Sequence, residues 1–234
     1  MNADQVAAAL ALFFGPDDVF EVRALDHGGP GKNSAGWFKG SAIDQAAALV
    51  VRIGAAGGVY FTPNPSSDEC YQRCGGMIRP AFFKLTADAD VPARRWLIID
   101  VDPVRPDESK KDSATDEEKA AAGEVADRVR AFLAAQGCAA PVVIDSGNGV
   151  HLYYRLTEQL GGGHVADPSA DQLAGVLTCL NARFGTRAAE IDTTIFNASR
   201  LMKVPGTPAR KGPGTADRPH RMSRVVEVPD DWHA

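Results

Sequence analysis

The stretch that most restricts this chain is Arg95-Trp96-Leu97-Ile98-Ile99-Asp100-Val101-Asp102-Pro103, an apolar run ending in two acids. Leu97, Ile98 and Ile99 are continuously apolar and β-rich, as in strands buried on both faces. Side chains alternate along a strand, so Asp100 and Asp102 point to one side, with Cβ atoms about 6.5–7 Å apart. Two carboxylates on one side of a buried strand lose hydration and repel each other, a cost that positive charge between them offsets. Pro103 ends the strand directly after the pair. A strand-end Asp followed by a turn Asp-Pro leaves the same D-x-D, so the rest of the chain has to decide.

With 234 residues, 44% of them hydrophobic, the chain can bury a full core as one large domain or two small lobes. It has no apolar run of about 18 residues and no signal-peptide layout, which leads us to expect a cytoplasmic protein. Cys70-x-x-x-Cys74 is half of a zinc set, but no second Cys/His pair follows at ligand spacing. Reduced thiols, and no zinc, are therefore expected. The net charge of −5 argues at first against a nucleic-acid binder, but the distribution matters more than the sum. Asp100 to Glu118 holds eight acids and three bases, whereas Ser199 to Arg224 holds seven Lys/Arg and one acid, Asp217. An acidic centre and a basic stretch suit a protein that gathers metal cations and polyphosphate; a solvated loop and a solvated tail would look the same.

In chain order, residues 2–13 read as a helix capped by Asn2 or Asp4, with Gly15-Pro16 as the stop. Val19 to Leu25 alternates like a strand, His27 to Gly36 has loop composition, and Trp37-Phe38 is a short strand. Ser41 to Ile53 is an Ala-rich helix and Gly58 to Phe61 a strand. Ser66 to Val91 shows no clean period and reads as loop with at most one helical turn. Thr115 and Glu118 form a capping box before an apolar helix face of Ala122, Val125, Ala126, Val129, Phe132 and Leu133, with Gly137 at the C′ position. Pro141 to Asp145 and Val150 to Tyr154 are strands, and the Asn148-Gly149 between them is a hairpin signal. Asp171 to Phe184 is a second amphipathic helix; Glu190-Ile191-Asp192, Arg200 to Val204 and Arg224 to Val228 are short strands. The order lacks regular βαβ alternation, so the expected class is α+β, with an antiparallel or mixed sheet carrying the site.

Two further motifs accompany the D-x-D. In Asp145-Ser146-Gly147-Asn148-Gly149-Val150-His151, glycines let backbone approach a ligand and successive amides can form an anion nest. Ser146 adds a hydroxyl, and His151 could donate to a phosphate oxygen; a plain hairpin with a surface His fits as well. The third motif is Glu190-Ile191-Asp192, followed by Asn197, Arg200, Lys203, Gly206-Thr207 and Lys211-Gly212. Asp192 supplies a third acid, and Arg200, Lys203 and Lys211 supply positive charge.

The order D-x-D, S-G-x-G-x-H and hydrophobic-Asp resembles the three motifs of the archaeo-eukaryotic primase superfamily, the primase-polymerases. Asp100 to Pro106, Ala114 to Glu118, Asp145 to Leu152, Phe196-Asn197 with Arg200, Pro205 to Thr207, Lys211-Gly212 and Arg218 to Arg221 resemble the primase-polymerase domains of phages, plasmids and mobile elements. The likeness runs from about Val19 to Pro229. It implies a modified RNA-recognition-like sheet packed with an N-terminal α/β unit. It also implies one catalytic domain over residues 1–234, with an N-terminal lobe to about residue 95 and a motif-bearing lobe over 96–234. Carried over, Asp100, Asp102 and Asp192 are the catalytic residues and metal ligands of a two-metal Mg²⁺ or Mn²⁺ site. Ser146, Gly147, Asn148, Gly149 and His151 hold the triphosphate, with Arg200, Lys203 and Lys211 in the family's basic stretch. Some relatives carry a Lys within the second motif, where this chain has Asn148 and Val150. The implied partners are dNTP or NTP substrates, a single-stranded DNA template or primer-template, and a fused or associated helicase where such a domain is excised from a longer chain.

The chemistry fits independently. In-line attack of a 3′-hydroxyl on an α-phosphate needs both the attacking and the leaving oxygen stabilised, which two divalent ions do. Two other readings stay open at this point. A nucleotide-sugar transferase using D-x-D would leave Ser146 to His151 and the basic stretch without a role. A non-catalytic replication or defence module that binds nucleotide or nucleic acid would not need all three acids.

Overall fold

The computed structural model describes residues 1–54, 57–80, 84–156, 168–230 and 232. The chain divides into two compact units, one of residues 1–94, 198–208 and 231–234, the other of residues 95–197 and 209–230. The first of these breaks lies between Arg94 and Arg95, and residues 198–208 belong to the first unit. The reason is strand pairing and side-chain hydrogen bonding. Strand β9 (Met202–Lys203) pairs with β3 (Gly58–Phe61), the Asn64 amide donates to Ala198 O (2.9 Å), and Asp88 accepts from Ser199 N (2.8 Å).

The first unit is built on an antiparallel sheet, ordered β4-β2-β1-β3-β9, in which β1 is Val19–Leu25, β2 is Ser34–Lys39 and β4 is Arg79–Pro80. Although β1 alternates in sequence, both of its faces are covered. Phe20 stacks on Phe14 (centroids 4.3 Å apart), while Val19 and Trp37 pack against Cys70 and Cys74 on the other face. Helix α1 (Ala3–Leu10) starts at Asn2, whose side chain accepts from Asp4 N (2.8 Å), and α2 (Ile43–Ile53) follows a turn of 3-10 helix.

Helix α3 (Asp68–Cys74) lies where the sequence showed no period. Only Cys70 and Cys74 of its seven residues are buried, one turn apart on one face, too little for an apolar period to register. The two cysteines are thus core side chains, and burial pushes both thiols up. Residues 81–83, within the stretch read as loop, lie outside the described residues.

The second unit carries an antiparallel sheet, ordered β12-β6-β7-β5-β8. Its strands are β5 (Trp96–Pro103), β6 (Val142–Asp145), β7 (Val150–Arg155), β8 (Ala189–Ile191) and β12 (Arg224–Glu227). A separate pair joins β10 (Pro208–Ala209) to β11 (Arg221–Met222). Helices α4 (Asp116–Ala135) and α5 (Ala170–Phe184) pack on this sheet. Helix α4 has the expected capping box, Glu118 N to Thr115 Oγ1 (3.2 Å) and Thr115 N to Glu118 Oε2 (3.0 Å). It ends on Gly137 at φ +84°, with Cys138 N donating to Leu133 O (3.0 Å) as in a Schellman motif. Among the described residues no helix is long and apolar enough to cross a membrane.

One buried ion pair gives the first unit a pH signature. Arg73 of α3 holds Asp90 at 2.7 Å, assisted by the Ala87 amide and by Lys84. The guanidinium lowers the Asp90 carboxyl from its ordinary 3.8 to about 2. A depressed carboxylate stabilises the fold above its unfolded value and loses that contribution as pH falls through the folded one. After allowance for partial solvent screening the contribution is about 1–2 kcal/mol at neutral pH. Acid melts should therefore show wild type losing this increment between about pH 4 and pH 2, while Asp90→Asn starts lower at pH 7 and changes less over that window.

Candidate active site

The acidic end of β5 is positioned by its neighbours on both sides. Asp100 pairs across the ladder with His151 of β7, and Asp102 with Glu190 of β8. The ladder runs one step past β8, where Asp192 N donates to Asp100 O (2.9 Å), so Asp192 stands opposite Asp100. Asp100 and Asp102 are both half-buried and share a face, with the buried Val101 between them. Glu190 falls on that same face by its register opposite Asp102. The sequence reading passed over it; its i, i+2 spacing from Asp192 is the signal that marks it.

His151 is buried, with Nε2 3.5 Å from Asp100 Oδ1 and Nδ1 3.4 Å from the Tyr153 hydroxyl. Complete burial, with a smaller contribution from Asp100, pushes the Tyr153 phenol well above its ordinary range, so it stays a protonated hydroxyl. The alternative of a plain hairpin with a surface His does not hold, because His151 is an interior residue between two polar partners. Asp192 is engaged locally, its Oδ1 accepting from Thr194 N (2.8 Å) and Thr194 Oγ1 (2.7 Å).

The turn joining β6 to β7 differs in detail from the Asn-Gly hairpin expected. Ser146 N donates to Gly149 O (3.1 Å), so Gly147 and Asn148 are the central residues. Gly147 has φ +96°, the positive value that a type II′ turn needs at its first central position. Gly149 is required for a different reason, namely space. A Cβ there would lie 2.2 Å from Val101 O and 3.0 Å from Asp102 Oδ1. Two of the turn amides are already committed, Gly147 N to Asp145 Oδ1 (2.8 Å) and Gly149 N to Ser146 Oγ (2.9 Å). Asn148 is buried, and its side-chain oxygen accepts from Ala114 N (2.8 Å), which ties the turn to the residue before the α4 cap.

The basic stretch is not one surface. Arg218 makes paired hydrogen bonds to Glu118 (2.7 Å each), Arg221 bonds Asp116 (2.6 Å), and Arg224 lies 3.5 Å from Asp145. These three arginines brace the start of α4 and the end of β6. Arg218 holds the Glu118 carboxyl below its usual range. Lys211 is exposed in the second unit, its carbonyl accepting from Ser113 N (3.1 Å). Arg200 and Lys203 belong to the first unit; Lys203 is buried, with its ammonium 5.1 Å from the Tyr60 ring centroid.

The second unit therefore brings together Asp100, Asp102, Asp192, Ser146, Gly147, Asn148, Gly149 and His151. Among the described residues, no three His, Cys, Asp or Glu side chains are gathered into a preformed metal cage. Lys119, which bonds Asp145 at 2.7 Å, is an ion-pair partner of the turn's first residue that no local sequence signal marks.

No family model matches the chain, and no curated protein matches it at a significant level. Among solved structures it is similar to primase RepB′, with a TM-score of 0.50 and 14% identity over 96% of this chain and 56% of that one. It is also similar to the catalytic domain of primase Repb′ in complex with initiator DNA, with a TM-score of 0.46 and 13% identity over 94% of this chain and 84% of that one. The chain spans a little over half the length of the first of these. The α+β class with antiparallel sheets is the one expected from the sequence, and the fold is similar to that of primase RepB′. The likeness to RepB′ is one of fold.

The tight approach of the turn to β5 is directly testable. Gly149→Ala must push backbone against backbone, an overpacking that costs about 1–3 kcal/mol. Its melting temperature should fall clearly below wild type. Gly123→Ala on α4, where a Cβ meets nothing within 4 Å, should stay within a degree or two or rise.

Proposed function

We propose that this chain is a DNA primase/polymerase that carries out metal-dependent, template-directed nucleotidyl transfer from dNTPs or NTPs onto a 3′-hydroxyl. The observation that carries the reading is the pairing of Asp100 with His151 on adjacent strands, with Asp102 two residues along β5 and the Ser146–Gly149 turn just past the end of the same ladder. The RepB′-like fold supports it, and so does the sequence order of the motifs. A nucleotide-sugar transferase using D-x-D would leave Ser146 to His151 without a role.

The donor set suits a hard divalent cation. Mg²⁺ is commonly held by one or two carboxylates together with substrate phosphates and water, so a closed protein cage is not needed. Asp100 and Asp102 would supply those carboxylates, with Asp192 as the third acid. When bound, Mg²⁺ or Mn²⁺ supplies electrostatic stabilisation of the attacking and leaving oxygens.

The remaining work belongs to the chain itself. His151 carries a ring nitrogen on the side of Asp100, where a proton on Nε2 can be donated to a phosphate oxygen. Ser146 presents its hydroxyl from the turn. The β5–β7 ladder fixes both relative to the acids, so a triphosphate held there lies beside the carboxylates. Single-stranded DNA or a primer-template would be the nucleic-acid partner.

The test is incubation with labelled dNTPs or NTPs, Mn²⁺ and a primed template. Asp102→Ala should abolish extension, while its melting temperature in EDTA stays unchanged or rises because like charges are thinned. Retained extension with a clear drop in melting temperature would make Asp102 a structural turn residue and overturn the reading. His151→Ala should raise the KM for nucleotide before it lowers kcat, because a contact present in ground and transition states contributes uniform binding. A collapsed kcat at unchanged nucleotide affinity would instead mark His151 as a proton donor in the reaction.

A further inference from the structure

Asp145 stands at the mouth of the turn, yet its side chain serves a different purpose from those of Ser146 and His151. It is 7% exposed and pairs in register with Val150, one residue off the face that carries His151. One carboxylate oxygen, Oδ1, accepts from Gly147 N at 2.8 Å, the local bond by which Asp residues shape turns two residues on. The other, Oδ2, receives Lys119 Nζ at 2.7 Å from the first turns of α4 and faces Arg224 Nε at 3.5 Å from β12.

A buried carboxylate without a counter-charge is costly, and removing one partner of such a pair leaves that cost exposed. Lys119 and Arg224 thus set positive charge against the Asp145 carboxylate while its other oxygen holds the Gly147 amide. That amide belongs to the one turn residue with positive φ, whose conformation decides where Ser146 and Asn148 point. Asn148 fixes the far side of the turn through Ala114 N, and Gly149 fixes its base against Val101.

We infer that Asp145 is a positioning residue for nucleotide binding, holding the Ser146–Gly149 turn in its phosphate-accepting shape while Lys119 neutralises it from α4. The inference rests on the nucleotidyl-transfer reading. It assigns Asp145 and Lys119 no contact with substrate. The role is to limit the shapes the turn can take before the triphosphate arrives, which shows as affinity.

The experiment measures nucleotide Kd by titration calorimetry, alongside kcat and KM in primer extension, for wild type, Asp145→Ala, Asp145→Asn and Lys119→Met. Asp145→Ala should weaken nucleotide binding about tenfold, the worth of one hydrogen bond, with kcat within about twofold of wild type. Asp145→Asn keeps an oxygen for the Gly147 amide and should recover most of that affinity. Lys119→Met should fall between Ala and wild type. Exchange of the Gly147 amide, followed by NMR in each folded variant, should speed up in Asp145→Ala and remain slow in Asp145→Asn. That readout keeps the question answerable if the Ala variant is poorly folded, because the Asn and Met variants then carry it.

Unchanged Kd in Asp145→Ala, or equal losses in the Ala and Asn variants, would overturn the inference while leaving the nucleotidyl-transfer reading intact. A wild-type protein that bound no nucleotide would overturn that reading, and the positioning role with it.

Discussion

The second unit depends on how closely two backbones approach. Strand β5 presents Val101 O to Gly149 at a separation that leaves no room for a methyl group. The approach lets the β6–β7 turn sit at the level of Asp102, and the ladder then sets His151 opposite Asp100. Register in a sheet is all or nothing for side-chain direction, since a slip of one residue sends every side chain to the opposite face. The apolar stretch Leu97 to Ile99 and the buried Val101 specify that register, and the two acids are carried to their face as a consequence. Polar side chains here are placed by apolar packing.

The basic stretch shows how charge in a sequence divides once a fold exists. Arg218 and Arg221 are drawn to Glu118 and Asp116 at the start of α4, where acids already sit favourably against the helix dipole. Their guanidiniums also reach the Ser113 and Ala114 carbonyls, so the loop before α4 is held by the same side chains. That loop supplies Ala114 N to Asn148. The arginines therefore support the turn indirectly, through the segment it leans on. A count of cations along the chain has no means of separating this role from contact with phosphate.

Much of the fold was legible because it rests on local rules. The β5 run, the Thr115–Glu118 capping box and the Gly137 terminus each depend on residues within a few positions of one another, and each was readable. Helix α3 was not, since Cys70 and Cys74 earn their burial from Trp37 and Val19 of distant strands. The Ser169–Gln172 capping box of α5 was readable in principle and was passed over. In the candidate site, motif order singles out Asp100, Asp102, Asp192, Ser146 and His151, and the strand register sets Asp100 opposite His151 and beside Asp192. The burial of His151, the committed amides of the turn and the Lys119–Asp145 pair were not legible, because their partners lie 26 or more residues away or depend on which turn conformation the glycines adopt. The allocation of Lys203 to the first sheet was hidden for the same reason, being settled by its pairing with Tyr60.

The return of β9 to the first sheet also bears on the order in which the protein can be made. Phe61 waits for Met202, about 140 residues later, and at roughly 5–20 residues per second the ribosome needs about 7–30 seconds to deliver it. Through that interval the edge of β3 has no β9 to cover it, although β1, β2 and the aromatic cluster around Phe14 are already available. An uncovered edge is a template for pairing with other chains. Nascent molecules crowded on one message would therefore be at their stickiest while the second unit is being synthesised, and the first unit becomes complete only when most of the second has emerged.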